Sequence, residues 1–352
     1  MVPRPRRAPL AITRPGLVVP VRRDPAGLTG PTAGQARGRS WRGTSWGFYV
    51  PSWVDGMVPE QRIVEAAVVL PSYGGVTGWA SLRWWGGVWF DGFAQDGTTL
   101  RPVPLAVSEC DIRSQAGIQV AADALDPCEL VHWDGLPTTS PRQAVLFELC
   151  RAADVRQAVL ALDMACYSDL VSIAEVSAHV ARQTAITGII VAREAVALAD
   201  ENSWSPQESR MRLAWRLDAG LPPPLCNVPV FDRSGRHLGT PDLFDPVAGV
   251  AGEYDSALHL VGTQRRRDRN REERFRGVGL EYFSLFTGDM VDRDRTVEMM
   301  HRVRQRARFA REHDRAWTLD TPPWWVPTFT VEQRRLLEPW QRERWLRLRR
   351  HA

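Results

Sequence analysis

The stretch DLFDPVAGVAGEYD, residues 242–255, decides the fold, since two apolar segments lie on either side of a Pro-Val-Ala-Gly turn. Short apolar segments separated by such a turn predict two strands joined as a hairpin. Side chains two positions apart share one face of a strand, so Glu253 and Asp255 are expected to point the same way. Across the hairpin, Asp242 comes close to opposite Glu253. The stretch therefore predicts carboxylates gathered on one face of two neighbouring strands.

An α/β (α+β) unit is predicted around this hairpin. Ser205-Pro206-Gln207-Glu208 combines an N-cap, a proline at N1 and a glutamate at N3, which is the capping-box pattern, and Gly220 ends the helix that follows. Apolar segments and turn residues predict four strands and an arginine-rich helix in the order α-β-β-β-α-β. The predicted strands are 225–231, 237–245, 250–255 and 280–286, and the arginine-rich helix is 265–276.

All 45 Lys or Arg positions of the 352-residue chain are arginine, so the chain contains no lysine. No lysine is there to form a Schiff base or to bind phosphate in a P-loop. The net charge is only +4, but residues 265–276 hold seven arginines against three acids. Such a run suits phosphate contacts, so Arg266, Arg269 and Arg276 are expected to bind a DNA backbone. A GC-rich genome and a solvated helix with internal ion pairs are the alternatives.

The remaining chain is divided by its composition. Residues 1–26, rich in proline, arginine and glycine, are expected to be disordered. A weak short helix followed by a hairpin at 40–51 predicts a winged-helix-like subdomain over 27–58, with a small hairpin subdomain that does not bind DNA as the alternative. After these come a mixed and then helical middle domain, the α/β unit and basic C-terminal helices, at 59–200, 201–292 and 293–352.

Cysteine usage and hydropathy narrow the class of protein. The five cysteines are scattered with no Cys-x-x-Cys pair, which argues for a reducing cytoplasm and against a zinc cluster. No apolar segment is long enough to span a bilayer, and the Arg- and Pro-rich start lacks the apolar core of a secretory signal. A cytoplasmic protein without a membrane partner is therefore expected.

The grouped carboxylates indicate metal chemistry. Several acids on one face of adjacent strands repel one another and reduce the stability of the fold. A cluster of this kind therefore rarely occurs without a functional reason. One or two carboxylates plus waters are ligands that Mg²⁺ accepts, and a metal held in this way activates water for phosphodiester hydrolysis. The alternative is a solvated sheet edge that carries acids.

Asp242, ten intervening residues and then Glu-Tyr-Asp resemble the Asp … Glu-x-Lys signature of the restriction-endonuclease superfamily, with Asp255 where lysine would stand. A subgroup resembling the very-short-patch repair endonucleases shares this departure, and its pattern is a helix Glu, a strand Asp and then Glu-x-Asp-Gly-x-x-His. The matching residues here are Glu208, Asp242, Glu253, Asp255 and His259, with Ser256 in place of the glycine, while Asp268 and Arg271 fit an Asp-x-x-Arg that often follows.

The resemblance implies a restriction-endonuclease-like domain over 201–292 with catalytic residues at those five positions. It implies Mg²⁺ bound by Asp242 and Glu253, with Glu208 reaching the ion from the helix. His259 would assist at the water or phosphate as a base or proton shuttle, since no lysine is present. The alternatives are that Glu208 only closes its capping box, that His259 caps the strand end and that Asp268 pairs with neighbouring arginines.

A wider resemblance covers much of residues 27–300. The chain is similar to actinobacterial proteins related to the AbiEi family of antitoxin-like regulators, which carry this nuclease-like domain at the C-terminus. That family has an N-terminal winged helix and a helical middle. The matching stretches are 41–50, 76–80, 135–141 and 205–212.

Three functions follow as hypotheses. The first is a metal-dependent DNA endonuclease of repair or defence. The second is an AbiEi-type DNA-binding antitoxin or transcriptional regulator whose nuclease-like domain is inactive and whose gene lies beside that of a toxin partner. The third is a structural protein without nucleic acid. DNA is the expected partner in the first two, and a homo-oligomer stays open in all three.

Overall fold

The computed structural model describes residues 9–108, 112–123, 125–255, 271–286, 288–347 and 349. The chain folds into two units. Unit 1 comprises the described residues up to Ala152 together with Glu175–Arg193, and unit 2 comprises Ala153–Ala174 together with the described residues from Glu194 onward. The predicted α/β fold class is confirmed, because helices and β-sheets alternate along the chain. No described helix is long and apolar enough to cross a bilayer.

Unit 1 contains two sheets. Its strands are β1 (Val21–Arg22), β2 (Trp41–Gly43), β3 (Phe48–Pro51), β4 (Gly74–Val76), β5 (Val103–Val107), β6 (Ile118–Ala121), β7 (Leu130–Trp133) and β8 (Leu136–Thr139), and its helices include α1 (Pro59–Ala67), α2 (Gly78–Trp84) and α3 (Pro141–Arg151). The first three strands form an antiparallel sheet in the order β1-β3-β2. The other five form a mixed sheet in the order β6-β5-β4-β8-β7.

The hairpin predicted at 40–51 is confirmed as β2 and β3, in a register that pairs Trp41 with Pro51. The helix predicted before it is a three-residue 3-10 turn, Gln35–Arg37. The glycines at either end of this turn, Gly34 and Gly38, disfavour a longer helix. The winged-helix interpretation of residues 27–58 therefore stays a prediction that rests on the hairpin.

Unit 2 contains a mixed sheet and a smaller antiparallel one. Its strands are β9 (Leu225–Cys226), β10 (Val230–Asp232), β11 (His237–Gly239), β12 (Leu243–Asp245), β13 (Val250–Asp255), β14 (Glu281–Phe286) and β15 (Trp317–Thr318). Four of these strands lie in the order β14-β13-β12-β9, with β12 antiparallel and β14 parallel to β13. The other three form a small antiparallel sheet in the order β11-β10-β15.

The helices of this part of the chain begin with α4 (Val155–Tyr167), and α5 (Ile173–Ala181) and α6 (Ile189–Leu198) contribute residues to both units. Unit 2 continues with α7 (Pro206–Leu213), which a π turn extends through Ala214–Asp218, then α8 (residues 271–277), α9 (Arg293–Arg306), α10 (Val331–Arg335) and α11 (Pro339–Trp345). The helices α10 and α11 are separate, because Pro339 begins the second and lacks the N–H that would continue the first.

Two predicted strands are wrong in extent. The strand predicted at 225–231 divides into β9 and β10, because Asn227 adopts a left-handed φ of 47° that turns the chain. The strand predicted at 237–245 divides into β11 and β12 around Pro241, which has no N–H to donate to a β-ladder. Consequently β10 and β11 pair with each other, and β10 also pairs with β15, in the small sheet instead of extending the large one.

Alternation along the strands gives the four-stranded sheet two different faces. Leu243 and Val250 belong to a buried core that they share with α7 and α9. Phe244 and Ala251, the next residues along each strand, belong to a second core with Phe275 of α8. Side chains an even number of positions from Phe244 on β12, or from Ala251 on β13, therefore lie on the face of the sheet that α8 covers.

Buried polar contacts hold α7 in place beside the sheet. Arg212 of α7 lies 2.5 Å from Asp163 of α4, and both side chains are almost completely buried. The Ser209 hydroxyl, one turn earlier on α7, donates to the same carboxylate at 2.6 Å. The start of α7 is therefore fixed relative to the sheet, and so is the Glu208 side chain that it carries.

Candidate functional site

Strand register brings Asp242 and Glu253 together. Leu243 pairs with Gly252 in the β12–β13 ladder, so the next step outward places Asp242 opposite Glu253. Because side chains alternate along a strand, Asp242 lies on the same face as Phe244, and Glu253 and Asp255 lie on the same face as Ala251. This is the face that α8 covers. The Tyr254 amide donates to Asp242 Oδ2 at 2.7 Å, which ties the Asp242 carboxylate to β13. The predicted cross-strand arrangement of these carboxylates is present.

Glu208 reaches the same end of the sheet from the first turn of α7. Ser205 Oγ accepts the Glu208 amide at 3.3 Å, as the predicted N-cap requires, while Glu208 Oε2 accepts the amide of Trp204 at 2.8 Å. The carboxylate does more than close the cap, since Oε2 also accepts Asn227 Nδ2 at 2.7 Å. Burial raises the pKa of Glu208 to about 6, in spite of these hydrogen bonds.

The three carboxylates interact electrostatically. Burial raises the pKa of Asp242 well above its ordinary value, and repulsion from Glu208 and Glu253 raises it further. Repulsion of this kind acts between charges that lie close together in a low-dielectric environment. Asp242 nevertheless keeps part of its surface accessible. A solvent-borne cation can therefore reach the cluster at Asp242.

Within the cluster, the Glu253 carboxylate is the one that forms an ion pair with an arginine. Its Oε1 lies 2.8 Å from Arg271 Nη1, and its Oε2 accepts the Tyr282 hydroxyl at 3.2 Å. Burial still raises the pKa of Glu253, although Arg271 opposes the shift. Ser284 donates to the Tyr282 oxygen at 3.2 Å and completes a short chain of hydroxyl groups behind the carboxylate.

Arg271 supplies positive charge beside Glu253. Burial alone would lower the pKa of the Arg271 guanidinium, but attraction to Glu253 and Asp242 outweighs burial and raises it. The sequence identified this residue only as part of an Asp-x-x-Arg pattern. Its pairing with Glu253 was not predicted, because it depends on how α8 packs against the sheet.

Two further residues of the site were not predicted from the sequence. Asn227 and Tyr282 hydrogen-bond to the carboxylates. No spacing rule singles them out. For Tyr282 a weak signal existed, since it alternates with apolar residues along β14 and so faces α8.

The other predicted site residues divide into two groups. Arg276 is engaged within the domain, where its guanidinium pairs with Glu272 at 2.9 Å and with Glu281 at 3.7 Å. Asp255 ends β13 in register with Phe286 and contributes to the raised pKa of Glu253. His259, Arg266, Asp268 and Arg269 lie outside the described residues, so their predicted roles stay predictions.

The donor set fits a hydrated Mg²⁺ better than a metal caged by protein alone. Within the described ranges, no three His, Cys, Asp or Glu side chains form a ready group of metal ligands. Asp242 and Glu253 nevertheless provide two carboxylates on one face, with Glu208 beside them, and Mg²⁺ commonly binds one or two carboxylates and several waters. The residues that could hold such an ion are therefore Asp242 and Glu253, with Glu208 acting directly or through water.

The raised pKa of Glu208 predicts a pH dependence for the stability of the metal-free protein. Folding raises this pKa from 4.5 to about 6, so its stabilising contribution is complete below pH 4.5 and is lost as pH rises through 6. The loss corresponds to roughly 2 kcal/mol of unfolding free energy. We expect Glu208→Gln, which mimics the protonated carboxyl group, to remove this part of the pH dependence of Tm measured in EDTA.

The matched control for that measurement is Glu343→Gln, because Glu343 is exposed on α11. Its Tm profile is expected to follow that of the parent protein between pH 4 and pH 8. A Glu208→Gln profile identical to the parent profile would contradict a buried, protonated Glu208.

Comparisons with known proteins place the chain near two mycobacterial sequences. No protein-family model matches the chain, and no solved structure matches it. Two curated proteins from two strains of Mycobacterium tuberculosis, both described as uncharacterized, are 31% identical to it over 170 residues. The match covers 48% of this chain and 59% of each relative, so the chain spans about three-fifths of the length of these curated relatives.

Proposed function

We propose that unit 2 is a metal-dependent DNA endonuclease of the very-short-patch-repair-like group, with a restriction-endonuclease-like domain over 201–292. The observation that carries the proposal is the placement of Asp242 opposite Glu253 at one end of a mixed sheet, with Glu208 near enough to raise the pKa of Asp242. Buried like charges repel one another unless a cation or a proton lies between them, and such groups are typical of functional sites. The order of these three carboxylates along the helix and strands agrees with the resemblance described above.

In this proposal the residues of the site bind the metal or position the groups that bind it. Asp242 and Glu253 hold Mg²⁺, and the bound ion supplies charge neutralisation at the phosphate and activation of water. Arg271 and Tyr282 fix the orientation of Glu253, one by an ion pair and one by a hydrogen bond. Glu208 adds negative charge behind Asp242 and is itself held by Asn227.

Arg210, on α7, supports a phosphate contact elsewhere on the same unit. Among the described residues, no hydrogen bond or ion pair reaches its guanidinium, although the side chain is half-buried. Burial lowers the pKa of Arg210, and the neighbouring Tyr254 opposes this effect. An unpaired, partly desolvated guanidinium is a strong ligand for a phosphate group. Arg210 therefore provides a cation for a DNA backbone that lies along α7.

The proposal is tested by incubating the purified full chain with supercoiled plasmid in Mg²⁺, in Mn²⁺ and in EDTA. We expect nicked or linear product with either metal and none in EDTA. Intact plasmid with both metals, at protein concentrations that bind the DNA, would refute the endonuclease proposal.

Replacing Arg210 with methionine is expected to weaken DNA binding in EDTA and to reduce the slope of log affinity against log salt by about 1, the effect of one lost phosphate contact. The measurement is fluorescence anisotropy of a labelled duplex across a salt series. Arg311→Met is the control, because Arg311 is exposed and pairs locally with Asp314. Equal salt slopes for both variants would show that Arg210 touches no phosphate.

An AbiEi-type DNA-binding regulator with an inactive nuclease-like domain is the second candidate. Its specific support is that each carboxylate already has a protein partner: Glu253 has Arg271, Asp242 has the Tyr254 amide, and Glu208 has Asn227. Under this alternative the chain binds duplex DNA equally well in EDTA and in Mg²⁺ and leaves the plasmid intact. The plasmid and anisotropy experiments together separate the two candidates.

A further inference from the structure

A cavity of about 200 Å³ opens in unit 2 beside Asn227. Its lining is dominated by rings, which come from the turn before α7, from β11 and from the C-terminal segment. The lining residues that matter here are Trp204, Asn227, His237, Trp324, Trp325 and Trp345. Rings on several sides of a small cavity favour a flat ligand that can stack.

Edge-to-face contacts hold the rings of this cavity in fixed orientations. Trp325 lies at the centre, with ring centroids 5.0 Å from Trp345 and 5.3 Å from Phe231. Trp324 meets Trp325 edge-on at 5.7 Å and leaves 50% of its own surface exposed. A rigid wall with one half-exposed indole offers a stacking surface at little entropic cost.

Two lining residues carry buried polar atoms without a partner among the described residues. Asn227 Oδ1 is a hydrogen-bond acceptor, and Trp325 Nε1 is a donor. An unsatisfied buried polar atom costs about 1–3 kcal/mol, so native proteins rarely keep one without a reason. Both atoms belong to residues of the cavity wall, and neither atom is exposed to solvent.

The charges around the cavity disfavour a cationic ligand. None of its described lining residues is acidic, and Arg344 stands at its edge with its guanidinium 5.0 Å from the centre of the Trp345 ring. Burial lowers the pKa of His237, and Arg274 and Arg271 lower it further, so this imidazole is neutral near pH 7. The cavity therefore suits a neutral ring attached to a negative group.

We propose that this cavity binds an unpaired nucleobase of a DNA strand, with the adjoining phosphate on Arg344. A nucleobase is flat, carries donors and acceptors on its edge, and is joined to an anion. The inference deepens the proposed function and rests on it for its biological meaning. Asn227 links the two places, since it lines the cavity while its Nδ2 donates to Glu208.

The test measures binding of a short single-stranded oligonucleotide that contains 2-aminopurine, in EDTA so that no cleavage intervenes. Stacking on the cavity rings quenches 2-aminopurine fluorescence. We expect Trp324→Ala to weaken the affinity about tenfold, within the range for one stacked base. We expect Arg344→Ala to weaken it and to flatten its salt dependence. Trp340→Ala is the control, because Trp340 is 61% exposed and lies outside the cavity.

Comparison with an abasic oligonucleotide keeps the proposal testable even if a variant misfolds. The parent protein is expected to bind the abasic strand about tenfold more weakly than the strand with bases. Equal affinity for the two strands, or equal losses in Trp324→Ala and Trp340→Ala, overturns the nucleobase assignment, as does preferential binding of tetramethylammonium. Base-dependent binding in EDTA without plasmid cleavage in Mg²⁺ supports the nucleobase cavity and refutes the endonuclease proposal. Plasmid cleavage without base-dependent binding supports the endonuclease proposal and refutes the nucleobase cavity.

Discussion

Asp242→Asn is expected to abolish metal-dependent DNA cleavage, by at least about 100-fold, and at the same time to raise the Tm of the metal-free protein by a few degrees. Both effects have one cause. The Asp242 carboxylate contributes charge that a metal ion requires and that the metal-free fold must accommodate next to Glu208 and Glu253. Asparagine keeps the shape and the Oδ acceptor for the Tyr254 amide but removes the repulsion.

Asp245→Asn is the matched control, three residues further along the chain. Asp245 lies on the opposite face of β12, where its Oδ2 accepts Arg304 Nε at 2.9 Å. The same chemical change there removes an ion pair and relieves no repulsion, so Tm is expected to fall while cleavage is retained below the melting temperature. The measurements are plasmid nicking with Mn²⁺ and thermal melting in EDTA for both variants.

Intact cleavage in Asp242→Asn would contradict the assignment of this residue to the metal. A fall in Tm of the metal-free protein would contradict the repulsion that the structure indicates at the cluster. The two readouts are independent, because a protein that merely binds DNA can still show the stability gain. Loss of cleavage together with a higher Tm is the combination that only a charged functional site predicts.

The local part of this site could be predicted from the sequence. The turn after Asp245 fixes the hairpin, the two-residue period of a strand fixes which side chains share a face, and the capping pattern fixes where α7 begins. From these rules alone Asp242 comes opposite Glu253, and the register of β12 and β13 agrees. Local rules succeed here because the relevant residues are joined by one tight turn.

The non-local part could not be predicted. Arg271 meets Glu253 only because α8 packs across the sheet, and Asn227 meets Glu208 only because its left-handed backbone ends β9 early. Nothing local indicated that β10 and β11 would leave the large sheet and form a separate one with β15. The aromatic cavity has the same origin, since its rings come from segments more than a hundred residues apart.

Arg271→Met is expected to destabilise the metal-free protein and to make the Tm strongly dependent on added metal. The variant leaves the buried Glu253 carboxylate without its cation. Breaking a buried pair costs about 3–5 kcal/mol, and the partial exposure of the Arg271 side chain reduces this to about 2–3 kcal/mol. In EDTA the Tm is then expected to fall by roughly 5–10 °C.

Metal should restore much of that loss, because a divalent cation between Asp242 and Glu253 replaces the charge that Arg271 supplied. Arg304→Met is the matched control: Arg304 pairs with the buried Asp245 on the other face of the same sheet, at 2.9 Å. It should lower Tm in EDTA by a similar amount and gain little from metal. The measurement is the rise in Tm on adding Mn²⁺ or Mg²⁺ to each variant. An equal rise in Tm for the two variants would mean that the metal binds elsewhere than at the carboxylate cluster. A larger rise in Tm for Arg271→Met would locate the ion beside Glu253, and this result does not depend on DNA cleavage.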